Sequence, residues 1–183
     1  MRVIAGSARS LPLKTVPGTD IRPTTDKTKE TLFNILMPYI NGSRFLDLFS
    51  GSGAIGIEAI SRGCLEVVFV DNFKAAWKCI DDNLTFTKFK DQAELIKSDA
   101  VSAVKRLEGG KPFDIIFMDP PYDKSLEKDV LEALSGSSLV HEDTIIIVEA
   151  SLKTSFDYIE ELGYTVFKDK KYKNNRHLFL KKA

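Results

Sequence analysis

Asp119-Pro120-Pro121-Tyr122 sets a carboxylate, two ring-locked backbone units and an aromatic ring on four consecutive residues. They follow the apolar run Ile115-Ile116-Phe117-Met118, which reads as a buried strand delivering them to the edge of a sheet. Together they suit the capture of a flat molecule that carries an exocyclic amine. The carboxylate or a neighbouring carbonyl accepts hydrogen bonds from the NH2 group, and the tyrosine ring stacks on the flat face. Each proline fixes its own φ and restrains the residue before it, so the acceptors are held in place in advance. A Pro-Pro turn with a satisfied Asp and a half-buried Tyr uses the same residues, and the tetrapeptide alone does not choose between the two.

The residues upstream favour the first use. Asp47-Leu48-Phe49-Ser50-Gly51-Ser52-Gly53-Ala54-Ile55-Gly56 reads as a strand, a glycine turn and the start of a helix. Gly51 and Gly53 let the backbone turn tightly and approach a ligand. The formal G-x-G-x-x-G pattern also matches the dinucleotide fingerprint. Asp71 ends the next strand, 20 residues after Gly51, where a carboxylate can accept from both hydroxyls of a ribose. Asp47, four residues before Gly51, separates the candidate ligands. Beside a pyrophosphate its charge is repulsive, whereas beside the ammonium and sulfonium of S-adenosylmethionine it is favourable. Asp99, after a third strand, either caps the following helix or accepts from an adenine amino group.

The elements that must position these groups alternate. Strand candidates lie at 44–49, 66–71, 93–97, 114–119, 143–149, 164–168 and 176–181, and helix candidates at 54–62, 73–88, 99–108, 125–135 and 153–162. Several strands are continuous apolar runs, as a parallel sheet covered on both faces requires. The alternation predicts an α/β doubly wound sheet. The last two strands are separated only by the Lys- and Asn-rich stretch 169–175, too short for a crossover, so they should pair antiparallel. Residues 1–40 form an expected appendage of short strand-like pieces at 2–5 and 11–16 and a helix from Asp26 to about Met37, stopped before Pro38, burying Leu32, Ile35 and Leu36. The whole chain, 1–183, is expected to be one domain, with 41–183 as the cofactor-binding and catalytic core.

With 43% hydrophobic and 28% charged residues the composition is that of an ordinary soluble chain, with no run long enough to span a membrane and no export segment at the start. Cys64 and Cys79 make neither a disulfide framework nor a metal-ligand spacing, so no metal is expected and a cytoplasmic location fits. The formal charge of zero hides basic ends. Residues 1–30 carry six basic and three acidic groups, and residues 168–183 seven and one, leaving the middle net −9. Brought together in space, such ends make a polyanion-binding surface.

Asp47, Gly51, Gly53, Asp71, Asp99 and Asp119-Pro120-Pro121-Tyr122, one group per successive strand end, resemble the Class I S-adenosylmethionine-dependent amino-methyltransferases. That resemblance implies a Rossmann-like, seven-stranded, mostly parallel sheet with an antiparallel last strand. The stretch Asp47 to Gly63, the opening Met1-Arg2-Val3-Ile4-Ala5-Gly6 and Arg22-Pro23-Thr24-Thr25-Asp26-Lys27-Thr28 are similar to the RsmD family, and the likeness covers essentially the whole chain. It implies methylation of the N2 amine of one guanine in 16S ribosomal RNA of the small subunit, with S-adenosyl-L-methionine as cofactor. The expected cofactor contacts are Asp47, Phe49, Gly51, Ser52, Gly53, Asp71, Asn72, Asp99 and Ala100, and the catalytic set is Asp119, Pro120, Pro121 and Tyr122. Arg22, Thr24, Lys171, Lys173 and Arg176 are the candidate RNA contacts. The chain departs from the family pattern after Gly6 and at the tip 172–177. The expected assembly is a monomer acting on ribosomal RNA or the small subunit. The alternatives are an amino-methyltransferase for another RNA, DNA or a protein amide, and an NAD-binding oxidoreductase.

Overall fold

A computed structural model describes residues 1–17, 25–122 and 124–183. Its spine is a seven-stranded sheet in the order β3-β2-β1-β4-β5-β7-β6. The strands are β1 (Arg44–Leu48), β2 (Glu66–Asp71), β3 (Ala93–Lys97), β4 (Phe113–Met118), β5 (Val140–Ser151), β6 (Tyr164–Lys171) and β7 (Asn175–Lys182). β1, β2, β3, β4 and β5 pair in parallel, and β7 inserts between β5 and β6, antiparallel to both. The strand order reverses between β1 and β4, and ligands of such sheets bind at the carboxyl ends of the strands beside that switch point.

The helices are α1 (Asp26–Ile40), α2 (Ala54–Ser61), α3 (Lys74–Thr87), α4 (Ala100–Leu107) and α5 (Leu126–Leu134). Strand residues alternate between two cores because successive side chains point to opposite faces. Phe45, Phe69, Ile115, Phe117, Ile147 and Phe179 face one layer with Leu32, Phe33 and Ile57. Leu46, Leu48, Ile116, Met118, Val148 and Leu178 face the other with Val104, Val130 and Leu131.

Three expectations fail. α1 runs through Pro38 to Ile40 rather than stopping at Met37. The proline sits in the last turn, where it removes a single bond, and burial of Leu36 and Ile40 holds that turn. Its buried face uses Phe33, with Ile35 only half-buried. The segment 153–162 is irregular chain and turns rather than a helix; only Ile159 within it is fully buried, with Phe156, Tyr158 and Leu162 partly buried against the same core. The strand pieces expected at 2–5 and 11–16 reduce to one bridge between Arg2 and Pro12.

The N-terminal segment is wired to α2. Ile4 and Ala5 donate backbone N–H groups to the buried Glu58 carboxylate at 2.8 and 3.0 Å. Lys29 Nζ stands 3.3 Å and Arg62 Nε 2.8 Å from the same group. Gly6, at φ +84°, packs so closely that a Cβ would lie 1.7 Å from the Ser61 carbonyl oxygen. Further along, Asn83 Nδ2 donates to the carbonyls of Lys14 and Ser52 at 3.0 and 2.9 Å, tying this segment to the glycine turn.

Candidate active site

The glycine turn follows from β1 without a break. Phe49 and Gly51 take positive φ of 60° and 55°, and Gly53, at 78°, precedes the first residue of α2. Gly51 is open in space, since a Cβ on it would meet nothing within 4 Å. Ser50 stitches the turn down: its hydroxyl donates to the Asp47 carbonyl at 2.6 Å and accepts from Val70 N–H at 3.0 Å.

Asp71, at the end of β2, accepts from the N–H groups of Gly51 and Phe73, each at 2.8 Å. Burial raises its pKa, and those N–H groups oppose the rise. Asp99 caps α4 by accepting from Ser102 N–H at 2.9 Å, and that bonding lowers its pKa. Both acids line a cleft of about 100 Å³, together with Phe49, Asn72, Ala100, Val101, Leu126 and Val130. A mostly apolar cleft lined by two carboxylates fits a flat heteroaromatic ring bearing an amino group and a ribose diol.

Asp47 lies behind this wall. It is 1% exposed and accepts from Gly56 N–H at 3.1 Å. Burial pushes its pKa up to about 8, the Gly56 hydrogen bond opposes the rise, and the Asp71 charge adds to it.

The motif leaves the end of β4 on the same edge. Asp119 is half-buried and Pro120 buried, whereas Pro121 and Tyr122 are exposed. Burial, then the charges of Glu149 and Asp47, hold the Asp119 carboxyl well above the usual carboxylate range. Burial also raises the Tyr122 phenol, helped by the charges of Glu149 and Asp119 and opposed by hydrogen bonding with Asn175.

Sequence reasoning missed Glu149 and His177. Glu149 ends the apolar run 145–148 of β5, as Asp47 and Asp119 end those of β1 and β4, and that shared position was the available signal. It is buried, accepts from Asn175 Nδ2 at 2.6 Å, and its Oε2 lies 2.8 Å from Nε2 of the fully buried His177.

Thus Phe49, Asp71, Asn72, Asp99 and Ala100 line one cleft; Gly51 is tied to it through its hydrogen bond to Asp71, whereas Ser52, Gly53 and Asp47 are not among the residues that line it. The other candidates are spread out. Lys171 and Lys173 are exposed on the β6–β7 hairpin. Arg176 is committed to Asp169 through two hydrogen bonds of 3.0 and 2.6 Å. Arg22 and Thr24 lie outside the described residues, and the side chain that caps α1 is that of Thr25. Among the described residues no three His, Cys, Asp or Glu side chains cluster as metal ligands, and no helix is long and apolar enough to cross a membrane.

The model of the family described as "Conserved hypothetical protein 95" matches residues 1–181. The Bacillus subtilis protein YlbH is 42% identical over 153 residues, covering 81% of this chain and 82% of its own. The Haemophilus influenzae ribosomal RNA small subunit methyltransferase D is 37% identical over 150 residues, covering 81% and 78%. The solved structure of the Escherichia coli protein yhhF superposes with a TM-score of 0.85 at 29% identity, over all of this chain and 97% of that one.

Proposed function

We propose, from the premise that this chain belongs to the RsmD family, that it methylates the exocyclic N2 amine of a guanine in 16S ribosomal RNA with S-adenosyl-L-methionine. The observation that carries this reading is the row of acidic groups at the carboxyl ends of β1, β2 and β4. Asp47, Asp71 and Asp119 stand at the same end of the sheet, Asp71 lining an apolar cleft there and Asp47 buried.

Asp71 and Asp99 would hold the ribose and the adenine amine of the cofactor, with Phe49, Val101 and Leu126 on its flat faces. Gly51 and Gly53 let the backbone approach, and the Asp47 carboxyl, giving up its proton beside a cation, supplies negative charge toward the cationic end. The bound cofactor supplies an electrophilic methyl group on a sulfonium. What remains for the protein is to aim a nitrogen lone pair. A guanine N2 amine is a weak nucleophile because its lone pair is delocalised into the ring. Asp119 and the Pro120 carbonyl accept from its two N–H groups and favour an sp3-like nitrogen, so catalysis is mostly positioning and electrostatics. Tyr122, 42% exposed at the mouth, is placed to stack on the base, a contact worth about 1–3 kcal/mol. The base enters flipped or from an unpaired strand. The enzyme works as a cytoplasmic monomer, with the basic hairpin tip carrying Lys171 and Lys173 on the RNA backbone.

An NAD-binding reading shares the glycine turn but places the Asp47 charge beneath a pyrophosphate. The test is single-turnover methylation of small-subunit RNA by Asp119→Ala and Tyr122→Ala, with cofactor affinity measured by calorimetry. Both variants keep that affinity and lose at least tenfold in rate; rates near wild type in both would remove the motif from the chemistry.

A further inference from the structure

Beside the motif lies a buried polar group that the proposed chemistry does not use. The register carries it there. Phe117 of β4 pairs with Ile147 of β5, and Ile147 with Phe179 of β7. Two residues further along each strand, on the same face, this register places Asp119, Glu149 and His177 in one row. Glu149 and His177 are themselves paired across β5 and β7. All three side chains therefore point to the layer that also holds Asp47, one row below.

Glu149 is fixed from two sides. Asn175 Nδ2 donates to Oε1 at 2.6 Å, and His177 Nε2 lies 2.8 Å from Oε2. The imidazole is in turn fixed by Tyr172, whose hydroxyl lies 3.2 Å from Nδ1, and its edge packs on the Phe117 ring at 6.0 Å between centroids. A carboxylate buried to this extent is costly unless each oxygen is bonded, and here each is. The anchoring sidesteps the edge of the sheet: β7, the inserted antiparallel strand, supplies both Asn175 and His177. Among the described residues, the ionisable groups that face the Asp119–Glu149 pair are Asp47 from β1, Tyr122 from the motif, His177 from β7 and Tyr172 from the hairpin turn.

We propose that Glu149, anchored by His177 and Asn175, is a positioning residue of the acceptor site: its fixed charge beside Asp119 and Tyr122 makes Asp119 the group that takes the proton released by the methylated amine. This rests on the amino-methyltransferase reading above. The balance is simple. The amine lone pair forms the new C–N bond as the C–S bond breaks toward the sulfonium sulfur. The nitrogen then holds one proton too many. Asp119 enters the step as the carboxylate: the N–H bond breaks, an O–H bond forms on Asp119, and solvent takes the proton when the product leaves. Burial alone already raises the Asp119 carboxyl, and the Glu149 charge beside it adds to that rise; without Glu149, Asp119 is a weaker base for that proton. The high pKa that burial and the Glu149 charge give Asp119 agrees with this assignment.

The test is the titration of the Asp119 carboxyl, followed by carbon-13 NMR in the cofactor-free protein, in the wild type and in Glu149→Gln. Losing the neighbouring charge should lower the Asp119 midpoint by about one pH unit or more. Glu149→Asp, which keeps the charge, should restore it. The acid limb of the single-turnover rate should move with the NMR midpoint. If Glu149→Gln does not fold, the double variant Glu149→Gln, His177→Gln removes both members of the pair and takes the same measurement. An unmoved Asp119 midpoint overturns the proposal, as does a midpoint that moves while the acid limb stays. The titration needs no RNA, so it separates this proposal from the choice of substrate.

Discussion

Replacing Asp47 by Asn should stabilise the ligand-free protein and weaken it as a cofactor binder. The folded-state pKa is raised from 3.8 to about 8 by burial. Between those values the folded state binds the proton and the unfolded chain does not. Folding stability therefore falls as pH rises through this window, and the loss is complete above about pH 8. At pH 7 roughly three units of that window have been crossed, which amounts to about 4 kcal/mol at 1.4 kcal/mol per unit. Asn keeps an oxygen for the Gly56 N–H but cannot ionise, so the penalty disappears and part of it is offset by fitting an NH2 group in the same space. Denaturant unfolding at pH 5 and pH 8 measures the difference. The wild type should lose stability over this interval by about 1–4 kcal/mol more than the variant. Calorimetry at pH 8 should show at least tenfold weaker S-adenosylmethionine binding by the variant, since an interaction of about 1.4 kcal/mol with the cationic end is lost. Equal pH slopes in the two proteins would refute the assignment of a buried, proton-holding Asp47. Equal affinities would refute its role toward the cofactor.

Glu58 is fully buried and collects Lys29, Arg62 and the N–H groups of Ile4 and Ala5. Glu58→Ala should cost about 3–5 kcal/mol, because it leaves Lys29 charged in the core; urea unfolding gives the value, and a loss under 1 kcal/mol would contradict the network. Gly6→Ala should cost about 2 kcal/mol or more, since its Cβ would overlap the Ser61 carbonyl at a positive φ. It should free the N-terminal segment to proteolysis while the sheet stays folded, and an unchanged digestion pattern would oppose this. Lys171→Glu with Lys173→Glu should flatten the dependence of log RNA affinity on log salt by about two contacts' worth; an unchanged slope removes the hairpin from the RNA surface.

Asp47, Asp71, Asp99 and Asp119 were legible as candidates because each lies at or just beyond the carboxyl end of a strand-like run, and the carboxyl ends of parallel strands are where such sheets bind ligands. The antiparallel close was legible from the short Lys-rich connection before β7. Glu149 and His177 were not. Their meeting depends on β7 inserting between β5 and β6, and strand order is not carried by the period of a single strand. The turns at 153–162 were missed because apolar spacing that suits a helix, here Phe156, Ile159 and Leu162, packs on the core equally well from consecutive turns. α1 outran Pro38 because tertiary burial of Ile40 outweighed a local breaker. Arg176 looked like a phosphate contact in a basic tail, and its cross-strand pairing with Asp169 became visible only once the β6–β7 register was known.

The central claim is methyl transfer to a guanine amine in small-subunit ribosomal RNA. Incubating the protein with labelled S-adenosylmethionine and, in parallel, unmodified small-subunit particles, naked 16S RNA or DNA, then digesting to nucleosides, tests it most directly. Label in N2-methylguanosine from the particles or the RNA is the predicted result. Label in another nucleoside, in DNA alone or in protein would contradict it.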